Sequence, residues 1–297
     1  MYQRYYGFHE PPFNITPNSR FFFASTKHTE ALNTMVYAIS ERKGFVVITG
    51  EIGSGKTTVC RTLVNQLDSR TQIALITNTL MSGRDLITCI LEDLEVEFTT
   101  GSKAKLLGQL NDYLIQQLKD NNNVVLIIDE AQNLTPSCLE EVRLLSNLET
   151  ENEKLIQIIF LGQPELKKKL ALTRLEQLRQ RIAVYYHLSP LTIEETKEYI
   201  LYRLKVASGS DRQFFTEEAL NMIFQFSKGV PRLVNQICDS ALLSGYVSEA
   251  NVIEEKIMRE VIEESPMMQI SRELKVPKNK DSAPLSEDLT TKIYFKE

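Results

Sequence analysis

The sequence predicts an α/β domain with a parallel β-sheet flanked by helices, followed by a small domain made only of helices. Three observations support this prediction. A glycine-rich loop follows the apolar run at residues 45–49 and opens into a helical pattern at residues 56–67. A second unbroken apolar run, residues 124–128, ends in two carboxylates and is typical of a strand buried on both faces. From residue 192 to about residue 264 the apolar spacing is helical.

The glycine-rich loop matches the pattern G-x-x-x-x-G-K-[ST], the phosphate-binding P-loop. It comprises Gly50, Glu51, Ile52, Gly53, Ser54, Gly55, Lys56, Thr57 and Thr58. Its glycines permit the tight bends that point backbone amides at phosphate oxygens. We expect Lys56 to contact the β- and γ-phosphates of ATP, and the Thr57 hydroxyl to bind Mg²⁺. The alternative, a glycine-rich turn that matches by chance, is disfavoured by the preceding strand and the following helix.

The apolar run at residues 124–128 leads directly into Asp129 and Glu130. Ligands of α/β sheets bind at the carboxyl ends of the strands, where this pair is expected. We expect Asp129 to hold Mg²⁺, directly or through water, and Glu130 to orient and deprotonate an attacking water. Acidic residues also begin ordinary turns after strands, but a P-loop earlier in the same chain favours the catalytic interpretation.

Apolar spacing predicts the other elements of the two domains. In the larger domain these are strands at residues 72–77 and 155–161, and helices at residues 28–43, 82–94, 105–119, 136–148 and 174–182. In the smaller domain they are helices at residues 192–207, 216–227, 231–244 and 252–264. Gln163 follows the strand at 155–161, where it either bonds the γ-phosphate or the water, or caps the next helix. The arginines of helix 174–182 form, by composition alone, a solvated basic face.

The two ends of the chain differ in composition from the rest. Residues 1–27 are rich in Pro, Phe and Asn, and so many aromatic side chains predict an ordered irregular segment. This segment either forms a wall against the base or ribose of the nucleotide or simply packs on the core. Residues 265–297 are polar and interrupted by prolines, and we expect a disordered or partner-binding tail. The expected divisions are therefore 1–27, a core at 28–189, a helical domain at 190–264, and the tail.

Composition restricts the classes of partner and compartment. The net charge of −5 disfavours nucleic acid as a partner, although a local basic patch would still allow it. No apolar run approaches the roughly 18 residues of a membrane span, so we expect no direct span and a cytoplasmic location. The cysteines are too scattered for a zinc or disulfide motif, and we expect reduced thiols. These are Cys60, Cys89, Cys138 and Cys238.

The sequence resembles the AAA+ ATPases, and most closely the ExeA/GspA (general secretion pathway protein A) family. It is also similar to the related ATPases of mannose-sensitive pilus biogenesis and of exosortase-linked polysaccharide export. The segments that carry the resemblance are GFVVITGEIGSGKTTVCRTL, VVLIIDEAQNLTPSCLEEVRLLSNLET, KLIQIIFLGQPEL, QLRQRIAVYYHLSPL and KGVPRLVNQICDSALL. The resemblance implies a P-loop NTPase core of the AAA+ type, with the small helical domain as its lid.

The resemblance also implies roles for residues outside the P-loop. Gln163 matches the polar sensor that follows the fourth core strand of the family. Arg181 matches the arginine finger that reaches a neighbouring subunit's nucleotide, so a homo-oligomer with sites between subunits is expected. Arg232 matches the sensor arginine of the lid. The catalytic set implied is thus Lys56, Glu130, Gln163, Arg181 and Arg232.

We therefore expect a cytoplasmic AAA+ ATPase that hydrolyses Mg-ATP and assists assembly of a bacterial secretion, pilus or polysaccharide-export system. The expected partners are membrane-associated proteins of that system, which would recruit the ATPase to the inner membrane. Three alternatives remain open. They are a DNA-associated AAA+ ATPase of the transposition or replication-initiation type, a P-loop small-molecule kinase, and a nucleotide switch with little turnover.

Overall fold

The computed structural model describes residues 1–15, 18–150 and 153–265. Within them a parallel sheet has the spatial order β2-β3-β4-β1-β5. Its strands are β1 (Phe45–Gly50), β2 (Thr71–Ile76), β3 (Asn123–Ile128), β4 (Gln157–Gly162) and β5 (Ile182–Leu188). The P-loop strand β1 therefore lies between β4 and β5, and their carboxyl ends share one edge of the sheet.

Helices cover both faces of this sheet. They are α2 (Thr26–Ser40), α3 (Lys56–Gln66), α4 (Gly83–Asp93), α5 (Lys103–Lys119), α6 (Pro136–Leu145), α7 (Pro164–Leu170) and α8 (Glu176–Gln180). Consecutive residues of β3 face opposite sides of the sheet. Leu126 packs in one apolar cluster with residues of α4–α6, whereas Ile127 packs in a second cluster with residues of α2 and α3. Both faces are buried because parallel strands are connected by helices, which confirms the predicted α/β class.

Most predicted elements agree with the structure, but their ends shift. The helix predicted at 136–148 ends at Leu145, where Ser146 occupies the C-cap. The strand predicted at 155–161 begins at Gln157, after the isolated bridge between Glu149 and Lys154. Such shifts of a few residues are expected because the ends of elements depend on capping contacts.

The prediction of one helix over residues 174–182 is wrong. A 3₁₀ turn, Thr173–Leu175, precedes the short helix α8, and Ile182 already belongs to β5. The sequence pattern did not predict β5. This strand lies at the edge of the sheet and alternates between half-buried and exposed residues up to the buried Leu188, so it lacks the apolar run of the central strands.

The region after β5 is helical, as predicted. It contains α9 (Ile193–Ser208), α10 (Glu217–Ser227), α11 (Pro231–Val247) and α12 (Glu255–Glu264). Thr192 opens α9 with a capping box, in which its side chain and that of Glu195 bond each other's backbone amides. Apart from Ser265, the predicted tail lies outside the described residues. Among the helices of the described ranges, none is both long enough and apolar enough to cross a membrane.

The N-terminal segment packs on the helical domain. It begins with a helix that was not predicted, α1 (Tyr2–Tyr6), which ends at Gly7. The aromatic side chains of Tyr6, Phe8 and Phe13 are buried in one apolar cluster with residues of α9–α12. Among the described residues of this segment, most aromatic side chains pack in or against the core of the small domain.

Candidate functional site

The P-loop turns sharply between β1 and α3. Gly53 and Gly55 have φ of 78° and 100°, values that side-chain-bearing residues rarely adopt. The Lys56 ammonium folds back to donate to the carbonyls of Gly50 (2.8 Å) and Glu51 (2.9 Å). Burial lowers the pKa of Lys56 from its usual value, and the nearby carboxylates of the site oppose that shift. A desolvated lysine on an amide-rich loop is suited to hold phosphate oxygens.

The P-loop residues differ in exposure. The Ile52 side chain is 61% exposed, while Ser54 is fully buried and its hydroxyl has no hydrogen-bond partner among the described residues. Thr57 and Thr58 line the cleft above the loop. A buried hydroxyl without a partner is costly, but Ser54 is not among the residues that line the cleft.

A hydroxyl and a carboxylate meet at the expected metal position. The Thr57 hydroxyl donates to Oδ2 of Asp129 at 2.8 Å. Oxygen ligands of this kind are those that Mg²⁺ uses beside the phosphates of a nucleotide. Thr57 and Asp129 thus fit the cation, which would neutralise phosphate charge. Within the described residues no cluster of three or more His, Cys, Asp or Glu side chains could hold a metal ion.

Glu130 and Gln163 lie together, as the catalytic interpretation requires. Glu130 lies two residues after β3 and has a left-handed backbone, φ 52°. Its carboxylate accepts a hydrogen bond from Nε2 of Gln163 at 3.2 Å. Gln163 also forms the N-cap of α7, without using its side chain as a cap. The structure therefore favours the polar contact over the capping role for the Gln163 side chain. The same carboxylate oxygen accepts from Nε2 of Gln132, a residue that the motifs did not indicate.

His28 forms a hydrogen bond with the P-loop backbone, and no sequence motif indicated this residue either. Its Nε2 bonds the Ser54 carbonyl at 3.0 Å, and its Nδ1 bonds the Ser25 hydroxyl at 2.7 Å. Because a carbonyl only accepts, Nε2 carries the proton and Nδ1 accepts from Ser25. A Cβ on Gly55 would meet the ring at 2.6 Å, so only glycine fits there. The single sequence signal was the position of His28 in the first turn of a helix.

His28 makes the stability of the fold depend on pH. Burial lowers the pKa of His28 below its usual 6.5, so the unfolded chain binds a proton more readily than the folded one. The stabilisation is complete above pH 6.5 and decreases as the pH falls. We expect the free energy of unfolding, measured in urea at about pH 7.5 and about pH 5.5, to fall more for the wild type than for His28→Gln.

Exposed His9 provides the matched control, since His9→Gln leaves the buried imidazole in place. That variant should retain the pH dependence of the wild type. Equal pH dependence in the wild type and in His28→Gln would contradict the assigned burial effect.

The helical domain meets the P-loop through the first turn of α11. The amide of Arg232 donates to the carbonyl of Gly53 at 3.2 Å. A Cβ on Gly53 would lie 2.4 Å from the Arg232 Cβ, so the glycine allows this close approach. Arg232 is exposed and lines the cleft, as its predicted role requires.

A cleft of about 340 Å³ extends from the P-loop between the N-terminal segment and the helical domain. Phe21, Phe22 and Phe23 form part of its wall. Phe21 is also buried in the apolar cluster of the helical domain, so this segment lines the cleft and packs on the core at the same time. A polar and aromatic cleft beside a phosphate-binding loop has the character of a nucleotide site.

Arg203 of α9 lines the cleft and holds the N-terminal segment through hydrogen bonds. It is 7% exposed and donates to the carbonyls of Pro12 (2.6 Å) and Asn14 (3.2 Å) and to the Tyr199 hydroxyl (2.9 Å). Its guanidinium carbon also lies 4.7 Å from the centre of the Phe21 ring. These contacts satisfy a buried cation, and no local sequence pattern could have indicated them.

Arg181 is not brought to the cleft of its own chain. It lies between α8 and β5. Its Nη1 donates to the Ser146 hydroxyl at 2.6 Å and to the Arg143 carbonyl at 3.4 Å, at the C-terminus of α6. A role at the nucleotide would therefore require the nucleotide of another subunit.

Comparison with known proteins agrees with this geometry. Residues 39–170 match the family model described as AAA domain. The chain is 42% identical over 254 residues to general secretion pathway protein A of Aeromonas hydrophila, covering 85% of this chain. It spans 46% of the length of that relative, about half. The predicted resemblance is thus confirmed.

Solved structures share the fold at low sequence identity. The Aeropyrum pernix ORC2 protein, in ADPNP-ADP complexes, has a TM-score of 0.67 at 14% identity, covering 86% of this chain and 72% of that one. The Aeropyrum pernix ORC1 protein in complex with DNA has a TM-score of 0.63 at 13% identity, covering 90% of this chain and 70% of that one. These matches confirm a P-loop core followed by a helical region.

Proposed function

This chain is a relative of general secretion pathway protein A that carries an AAA domain, and on that premise we propose that it binds and hydrolyses Mg-ATP. One observation carries the proposal. The Thr57–Asp129 pair, the Glu130 carboxylate with Gln163, and the Lys56 ammonium converge at the carboxyl edge of one sheet.

Each group has a chemical task in this proposal. Lys56 and the P-loop amides bind the β- and γ-phosphates, while Thr57 and Asp129 hold Mg²⁺, which neutralises phosphate charge when bound. Glu130 orients a water and accepts its proton. Gln163 contacts the γ-phosphate or the water, and Arg232 contributes from the lid. Hydrolysis is favoured over phosphoryl transfer to a metabolite because Glu130 lies beside the phosphate loop, where it can activate water.

We expect Glu130→Gln to bind ATP with wild-type affinity and to lose most hydrolysis. The amide cannot accept a proton, whereas Asp129 and Thr57 remain available to the cation. A general base typically contributes about 100-fold to 10,000-fold to a rate, and a decrease in kcat of at least about 100-fold is expected. The measurement is phosphate release at saturating Mg-ATP, together with a binding titration using the same preparation.

Glu165→Gln is a suitable control, since this exposed carboxylate lies in the first turn of α7, after Gln163. It should turn over like the wild type. Near-wild-type turnover by Glu130→Gln would show that the base lies elsewhere. A wild type that binds ATP but releases no phosphate would instead indicate the nucleotide-switch alternative.

The cellular role proposed is assembly of a secretion, pilus or polysaccharide-export system from the cytoplasmic side of the inner membrane. It is supported by the 42% identity to general secretion pathway protein A. We propose residues 28–189 as the ATPase core, 190–264 as the lid and 1–27 as a segment joining the two. The functional unit proposed is a homo-oligomer, because the family resemblance assigns Arg181 to a neighbouring subunit's nucleotide and Arg181 does not line the cleft of its own chain.

A DNA-associated role is the second candidate. The fold likeness to an ORC1 protein in complex with DNA supports it, while the net charge of −5 opposes it. The ATPase rate, measured at low salt with and without duplex DNA, distinguishes a DNA-associated role from a role in secretion, pilus or export assembly. Stimulation that disappears with added salt would favour the DNA-associated role.

A further inference from the structure

We propose that Gln132 is a positioning residue for hydrolysis, which holds the Glu130 carboxylate and Gln163 as one unit. The inference rests on the proposed function, because it assigns Gln132 a task in the same site. Gln132 lies in the 3₁₀ turn Ala131–Asn133, directly after Glu130, and is 9% exposed. No motif used above assigns it a role.

The two ends of the Gln132 amide have different partners. Its Oε1 accepts a hydrogen bond from the backbone N–H of Gln163 at 3.0 Å. Its Nε2 donates to Oε2 of Glu130 at 2.5 Å. Because a backbone N–H can only donate, the oxygen must face Gln163, and the NH₂ group must then face the carboxylate. The orientation of the amide is therefore fixed by its partners.

These bonds close a ring of contacts around Glu130. The Gln163 side chain donates to the same Oε2 of Glu130 at 3.2 Å, so one carboxylate oxygen receives both amides. The other oxygen, Oε1, is left for water. The Glu130 carboxylate therefore cannot rotate without breaking two hydrogen bonds. Gln163 is linked to this carboxylate directly by its side chain, and through Gln132 by its backbone N–H.

The turn that carries Gln132 is itself anchored. The Lys169 ammonium of α7 donates to the carbonyl of Gln132 and to that of Leu134, the latter at 2.7 Å. The Glu130 carbonyl accepts from the Thr79 hydroxyl at 3.3 Å. Because a group held rigidly in a reactive position loses little entropy in the reaction, such anchoring favours turnover and has little effect on ATP binding.

The test compares kcat and the affinity for ATP between the wild type, variants of Gln132 and a control. Gln132→Met has a similar volume and removes both amide contacts. We expect its kcat to fall about 10-fold or more while its ATP affinity stays at the wild-type value. Gln157→Met is the matched control, since Gln157 is 2% exposed but lies at the amino end of β4, away from the site.

A double variant tests whether Gln132 acts through Glu130. If it does, adding Gln132→Met to Glu130→Gln should lower kcat little further, because the carboxylate that Gln132 holds is already absent. A role that is independent of Glu130 would instead make the two losses multiply. Thermal unfolding of each variant shows whether it is folded.

The outcomes separate this inference from the proposed function. If the wild type hydrolyses ATP and Glu130→Gln is at least about 100-fold slower, then wild-type kcat in Gln132→Met, or losses that multiply in the double variant, would overturn the role of Gln132 alone. An increase in kcat of Gln132→Met also overturns it. If the wild type does not hydrolyse ATP, the proposed function fails, and this inference fails with it.

Discussion

Lys56→Ala abolishes tight ATP binding in our expectation, and this is the largest effect predicted for the site. Lys56 is only 5% exposed and supplies the side-chain cation of the P-loop. Each hydrogen bond from a charged donor is worth about 1.5–3 kcal/mol, so the loss of its contacts to phosphate oxygens weakens affinity by about 100-fold or more. A calorimetric titration with ATP and Mg²⁺ measures the change.

Lys43→Ala is the matched control, because Lys43 is exposed and precedes β1, at the opposite end of that strand from the P-loop. Both variants remove one positive charge from the chain, but Lys43→Ala leaves the P-loop cation in place. Its affinity should equal that of the wild type. Unchanged affinity in a folded Lys56→Ala protein would refute the P-loop assignment.

Arg181→Ala is expected to leave ATP affinity per subunit nearly intact and to reduce hydrolysis sharply. An arginine that reaches the γ-phosphate from a neighbouring subunit stabilises transition-state charge and is worth about 1,000-fold or more in rate. The measurement is the ATPase rate at protein concentrations that permit assembly. Arg179, on α8, is the runner-up and should have the smaller effect.

Mixing variants tests action between subunits. An Arg181→Ala subunit retains its P-loop, and a Lys56→Ala neighbour can supply the arginine, so mixtures should recover some activity. Wild-type turnover by Arg181→Ala alone would remove the finger role. Mixtures that assemble without any recovery would argue against action in trans.

The contacts of Arg181 within its own chain suggest a competing structural role. A cation at the C-terminal carbonyls of α6 stabilises the helix, so a loss of folding would also lower hydrolysis in Arg181→Ala. Ser146→Ala separates the two roles, because it removes the 2.6 Å partner of the guanidinium and keeps the arginine. We expect it to lower the free energy of unfolding by about 1 kcal/mol and to retain hydrolysis.

The sequence alone determined the parts of the site that lie close together in the chain. The P-loop and the Asp129–Glu130 pair were predicted because each is a local pattern, a glycine-rich turn or a buried strand with a polar end. The structure brings the Thr57 hydroxyl to 2.8 Å from Asp129, as expected for a shared metal. Periodicity likewise predicted the helical domain, since an amphipathic pattern requires only its own residues.

Only the tertiary structure decided which other residues complete the site. His28 lies under Ser54 because α2 packs beside α3, and Gln132 meets Gln163 across 31 residues because β3 and β4 are neighbours in the sheet. Arg203 meets Pro12 across 191 residues because the N-terminal segment packs on the helical domain. Such contacts depend on strand order and on the packing of distant segments. These contacts leave no local pattern, because the partner that brings each residue to the site is remote in the chain.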